Sequence, residues 1–111
     1  TASDEKDPYV IAFRKHLRKG SEAYFLDRLI TASIIEARGA ERFALVAEAL
    51  EPGGLQRFYQ SIARSEERHY QLFLDLAERY LPAQDVQRRF EELLQVEAEI
   101  AQQLPLRAAL H

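Results

Sequence analysis

The chain has 111 residues, 47% apolar and 30% charged, with 15 Lys and Arg against 18 Asp and Glu for a formal net charge of -3. That balance supplies material for one packed core and a solvated surface, so a single domain over residues 1–111 is expected, and a disordered acidic chain or a wholly basic nucleic-acid-binding body is excluded. There is no cysteine, which excludes disulfides, thiolate metal sites and thiol nucleophiles and leaves His and carboxylate as the ligands for any metal.

In chain order, Thr1 to Asp7 is polar and acidic rather than signal-like, and no apolar run nears the roughly 20 residues of a membrane span. The expectation is a cytoplasmic protein with no membrane partner. Position 1 is Thr and no Met occurs anywhere, so the chain is expected to begin inside a longer translation product or after processing. Asp7 followed by Pro8 is an N-cap and first-turn signature for a short helix that runs to about Lys19 and stops at Gly20. Ser21 is expected to cap a second helix reaching Leu50. Its positions Leu26, Ile30, Ser33, Ala37, Ala40, Ala44 and Ala47 alternate steps of four and three, the seam of a helix packed nearly antiparallel to a neighbour. The turn Glu51-Pro52-Gly53-Gly54 leads to a third helix over about Leu55–Tyr80, with Leu55, Phe58, Ile62, Phe73, Leu76 and Tyr80 expected to face inward. Asp85 is the expected cap of a last helix whose stripe is Val86, Phe90, Leu93, Ile100 and Leu104. No segment sustains a period of two. The fold class is therefore all-α, a long antiparallel helical hairpin with flanking helices.

The apolar seam of the third helix is interrupted in an informative way. Steps of three and four from Phe58 reach Ile62, then Glu66, His69 and Phe73, so an acid and an imidazole occupy consecutive inward positions. Residues three apart on a helix share a face and can bind one ion. The alternative is a surface on which Glu66 and His69 are simply solvated, but an unpaired carboxylate in line with Ile62 and Phe73 would cost several kcal/mol if buried. A turn centred between Pro52 and Gly53 makes facing residues sum to about 105, and Glu36 with His69 meets that sum. Ser33, Ala37 and Ala40 leave space beside Glu36. Glu36, Glu66 and His69 are thus expected to converge from two helices as ligands suited to iron or manganese. The same sum pairs Arg38 with Glu67 and Glu41 with Arg64, as structural ion pairs beside the seam. Glu97 lies between Leu93 and Ile100 and is expected to be a partly buried acid paired with an Arg. His16 is expected to be exposed, and His111 is terminal.

The segment Ile34-Ile35-Glu36-Ala37-Arg38-Gly39-Ala40-Glu41-Arg42-Phe43, with Arg57-Phe58-Tyr59, Arg64-Ser65-Glu66-Glu67-Arg68-His69-Tyr70 and the ending from Leu104 to His111, resembles the tRNA 2-methylthio-isopentenyladenosine hydroxylases. The resemblance covers nearly the whole chain from about Tyr9. It implies a ferritin-like bundle and a non-haem di-iron monooxygenase, in which two iron ions and O2 hydroxylate the isopentenyl group of the modified adenosine in tRNA, with electrons from an external reductase. Members of that family carry two ligand sets, each a Glu on one helix and a Glu-x-x-His on the next. The resemblance places Glu36, Glu66 and His69 on the second set. This chain departs by lacking a first set and a preceding hairpin, so it looks like the C-terminal part of such an enzyme. Its active site then needs the N-terminal half of the enzyme, or a second copy of the chain, to be complete.

A tRNA partner requires positive surface, and Arg14, Lys15, Arg18 and Lys19 at the end of the first helix are the substrate-binding candidates, with Arg88 and Arg89 a weaker second patch. The competing role for the first group is to stabilise a helix C-terminus. The competing functions are a ferritin-like metal-binding or storage module without oxygenase activity, and a purely structural bundle that binds no metal. Finally, the stripe around Ala40, Ile62 and Phe73 is too wide for one helix to bury. The chain is expected to dimerise or to bind its N-terminal part through it.

Overall fold

The computed structural model describes residues 7–104 and contains four helices: α1 Pro8–Arg14, α2 Ser21–Ala49, α3 Gly54–Tyr80 and α4 Ala83–Gln103. The acidic start before Asp7 and the ending after Leu104, His111 included, lie outside the described residues. No helix among the described residues is long and apolar enough to cross a membrane.

Asp7 caps α1 as its sequence implies, its Oδ1 accepting the Tyr9 N–H at 2.9 Å with Pro8 at the first helical position. The helix ends at Arg14, well before Lys19. A competing acceptor lies near the chain beyond it, because the Arg18 N–H is donated to the carboxylate of Asp27 on α2 at 2.9 Å. Ser21 is not the cap of α2. Gly20 takes that position at φ 100°, a left-handed conformation that favours glycine, and Ser21 is already helical. At the far end of α2 the Gln56 side chain donates to the carbonyls of Ala47 and Leu50, at 2.9 and 3.2 Å, which satisfies acceptors the helix itself leaves open. Asp85 likewise sits inside the first turn of α4 instead of capping it; Pro82 is the cap residue.

α2 and α3 form the antiparallel hairpin. α4 runs beside α2 in the same direction, since it meets Asp27 through Arg89 and Arg38 through Glu97. The core is Phe13, Leu26, Ile30, Ile34, Ala77, Val86, Leu93 and Ile100, so α1, α2 and α4 supply nearly all of it.

Here the inward stripe expected of α3 needs correction. Leu55 is 59% and Tyr80 70% exposed, Phe58 and Leu76 are exposed as well, and Ile62 and Phe73 are half-buried. α3 instead turns the adjacent row, Leu74 and Ala77, to the core. The displaced stripe joins exposed Phe25 and Val46 of α2, with Phe25 and Tyr80 packed edge to face at 5.8 Å. Large apolar side chains in such numbers favour association. We therefore expect the isolated 111-residue chain to run as a dimer or larger species in size-exclusion chromatography with light scattering at micromolar concentration; a monodisperse monomer would count against it.

Candidate metal centre

Glu36 sits mid-way along α2, and Glu66 and His69 share a face of α3. The hairpin register brings Glu36 opposite His69, with His69 Nδ1 3.9 Å from Glu36 Oε2. One ligand atom from each of Glu36, Glu66 and His69 lies within 4.8 Å of the others. Two local contacts fix that register. The Ser33 hydroxyl donates to the Tyr70 carbonyl at 3.2 Å, and Gly39 is buried where a Cβ would meet Glu66 Oε2 at 3.7 Å. A methyl group would just fit there, and anything larger would push the carboxylate away.

The electrostatics of this cluster are incomplete without a cation. Glu36 Oε2 is buried and has no hydrogen-bond partner, although a buried carboxylate oxygen ordinarily recruits a donor. Two carboxylates and an imidazole form a hard-to-borderline donor set that fits iron or manganese. His69 is half exposed, so the cluster opens onto the apolar face of the hairpin.

The other acids divide differently from the sequence expectation. Glu97 is an acid paired with an Arg, as anticipated, but it is only 2% exposed. Its two oxygens accept from Arg38 Nε and Nη2, each at 2.9 Å, and Oε2 also accepts from the Tyr9 hydroxyl at 2.8 Å. Burial, then the hydrogen bond to Glu97, push the Tyr9 phenol above its ordinary range. The Glu97 hydrogen bonds likewise raise Arg38, with burial opposing. Arg38 therefore pairs with Glu97 and, at 3.1 Å, with Glu41, not with Glu67, and no bridge joins Glu41 to Arg64 among the described residues. A buried two-pronged carboxylate outcompetes an exposed one for the same guanidinium.

Asp27, which sequence reasoning passed over, is fully buried on α2. It accepts from Arg18 Nε and Nη2 at 3.1 and 2.9 Å and from Arg89 Nε and Nη2 at 2.9 Å each, and Arg89 also donates to the His16 carbonyl at 3.3 Å. The available signal was an acid one place from Leu26, in the row that continues to Thr31 and Ile34. Its partners change the reading of the cationic patch. Arg14, Lys15, Arg18, Lys19 and His16 are all exposed as residues, but the Arg18 head group is committed to Asp27. In the second patch Arg89 is committed in the same way and Arg88 pairs with Asp85.

Comparison with known proteins adds a family to this geometry. The family model described as tRNA-(MS[2]IO[6]A)-hydroxylase (MiaE) matches residues 2–111. The tRNA 2-(methylsulfanyl)-N(6)-isopentenyladenosine(37) hydroxylase of Salmonella typhimurium LT2 is 40% identical over 92 residues, which is 83% of this chain and 33% of the relative. Its namesake in Pseudomonas putida KT2440 is 36% identical over 94 residues, 85% of this chain and 45% of the relative. The chain thus spans a third to under a half of the length of these relatives. No solved structure matches it.

Proposed function

The chain belongs to the tRNA-(MS[2]IO[6]A)-hydroxylase family, and from that premise we propose that it forms the part of a tRNA-modifying monooxygenase that carries one iron-ligand set. The observation that carries this reading is the convergence of Glu36, Glu66 and His69 around an unpartnered buried carboxylate oxygen. These three residues would hold iron, with the two carboxylates supplying the negative charge that a divalent cation offsets. When bound, a pair of irons would supply the redox chemistry by which O2 hydroxylates the isopentenyl group. The chain's own contribution is to fix three ligands on two rigid helices, through the Gly39 contact and the Ser33 hydrogen bond, and to surround them with apolar side chains that exclude water.

The open face of the hairpin is the feature that asks for a partner. In this reading the N-terminal half of the enzyme, or failing that a second copy, covers Phe58, Leu76 and Tyr80 and brings the other ligand set. Arg14, Lys15 and Lys19 are the cations left to meet tRNA phosphates. Electrons come from a separate reductase, and the setting is the cytoplasm, where tRNA is. The test is to express the full-length protein, measure its iron, and assay tRNA carrying 2-methylthio-isopentenyladenosine with O2 and a reductant. The hydroxylated nucleoside is expected. Bound iron without hydroxylation would leave a metal-binding module instead, and no bound metal would leave a structural bundle.

A further inference from the structure

On the side of α2 where α1 packs, a second cavity of about 190 Å³ opens, with Val10, Arg14, Leu17, Arg28, Thr31 and Glu36 among its walls. Thr31 is 3% exposed, and its hydroxyl has no hydrogen-bond partner. A buried hydroxyl without a partner costs free energy that a ligand accepting its proton would recover. Arg14 and Arg28 are exposed, and among the described residues no carboxylate lies within ion-pair distance of either. Arg28 is oriented from below, its guanidinium 5.7 Å from the centre of the Tyr24 ring and its Nη1 donating to the Tyr24 hydroxyl at 2.9 Å, which leaves its other N–H groups for a ligand. A water claims about 30 Å³ of liquid, so the cavity has room for a tetrahedral oxyanion.

We propose that this cavity holds a backbone phosphate of the RNA substrate, with Arg14 and Arg28 as charged donors and Thr31 as the buried one. The proposal rests on the tRNA reading above and adds to it a fixed phosphate position. Two planar guanidinium groups and one hydroxyl are the donor set that phosphate oxygens take up. Glu36 closes the inner end of the cavity, and its charge would oppose an anion unless offset at the metal centre. The phosphate position is therefore tied to the candidate ligand cluster by one shared side chain.

The experiment measures binding of the full-length, iron-loaded protein to the anticodon stem-loop that carries the modified adenosine, by fluorescence anisotropy over a series of salt concentrations. Arg14→Gln combined with Arg28→Gln should weaken binding by about tenfold at low salt. It should also make the slope of log affinity against log salt shallower by about one unit, as for loss of one phosphate contact. Arg14→Lys with Arg28→Lys should recover part of the loss. Thr31→Val should raise the melting temperature, because the unpaired hydroxyl is gone, and still weaken binding a few-fold, which separates a lost contact from a lost fold. Unchanged affinity and slope in the Gln variant, with hydroxylation intact, would overturn the phosphate position and leave the proposed function standing. A wild-type protein that neither binds nor modifies the RNA would overturn both. Inorganic phosphate that raises the melting temperature of wild type alone, with RNA affinity the same in wild type and variant, would mean a free-anion site and would also overturn the proposal.

Discussion

His69→Ala in the full-length protein is expected to lose bound iron and to lower tRNA hydroxylation by on the order of a hundredfold or more, with the helical signature unchanged. Outer-shell partners of metal ligands already cost about 10–100-fold when removed, and a ligand contributes more directly. Glu36→Ala and Glu66→Ala should behave alike. The fold should survive because none of the three belongs to the buried core cluster, and substitutions outside such features usually shift stability by within about 0.5 kcal/mol. Glu36→Ala should even hold or raise the melting temperature of metal-free protein, since it removes a carboxylate oxygen that lacks a donor. Iron content by elemental analysis, set beside turnover, decides the matter. A His69→Ala protein with full iron and normal turnover would show that these residues are not the ligands.

The second large effect belongs to Asp27. Asp27→Ala is expected to cost about 3–5 kcal/mol, because it leaves the largely buried Arg89 guanidinium and the Arg18 side chain without their shared anion. The same group sets an acid limit. Burial pushes the Asp27 carboxyl up, but hydrogen bonds from Arg89 and Arg18 outweigh it and hold the group at about 2, below its ordinary 3.8. A folded value below the unfolded one means the stabilisation is complete above about pH 4 and is lost as pH falls through about 2. A shift of that size corresponds to roughly 2.5 kcal/mol. In urea unfolding, the stability gap between wild type and Asp27→Asn should therefore narrow steadily from pH 4 to pH 2; a gap independent of pH would refute the assignment. One consequence concerns the cationic patch. Arg18→Ala would disturb the connection between α1 and α2 as well as any RNA contact, so Lys19→Ala is the cleaner probe of that surface.

Glu36 and His69 were legible as neighbours because two rigid helices joined by a four-residue turn leave little freedom in register: fix the turn, and every facing pair follows. The stripe of α4 was legible for a related reason, since Val86, Leu93 and Ile100 have one apolar environment to enter. α3 was different. It carries two apolar rows, one through Phe58, Phe73 and Tyr80 and one through Leu74 and Ala77, and periodicity alone does not say which row meets this chain's own core. The larger side chains took the outward face, which implies a covering surface beyond the hairpin. Ion pairing was the least legible. Arg38 has acids within reach on α2, α3 and α4, and the choice of Glu97 depends on how far α4 is buried, a property of packing and not of spacing.

The Glu97 clamp bears on how long the folded molecule persists. Helix connections here are short, so most packing joins neighbours in sequence and can form early. The clamp is of another kind. It ties Tyr9 to Glu97 across 88 positions and Arg38 to Glu97 across 59, and it needs three helices in place before any of its hydrogen bonds can form. Contacts that form after the folding barrier add nothing to the speed of folding and act on the unfolding rate alone. A buried acid that contributes nothing to the candidate chemistry thus acts as a latch on the native state, lengthening its lifetime more than it hastens its arrival.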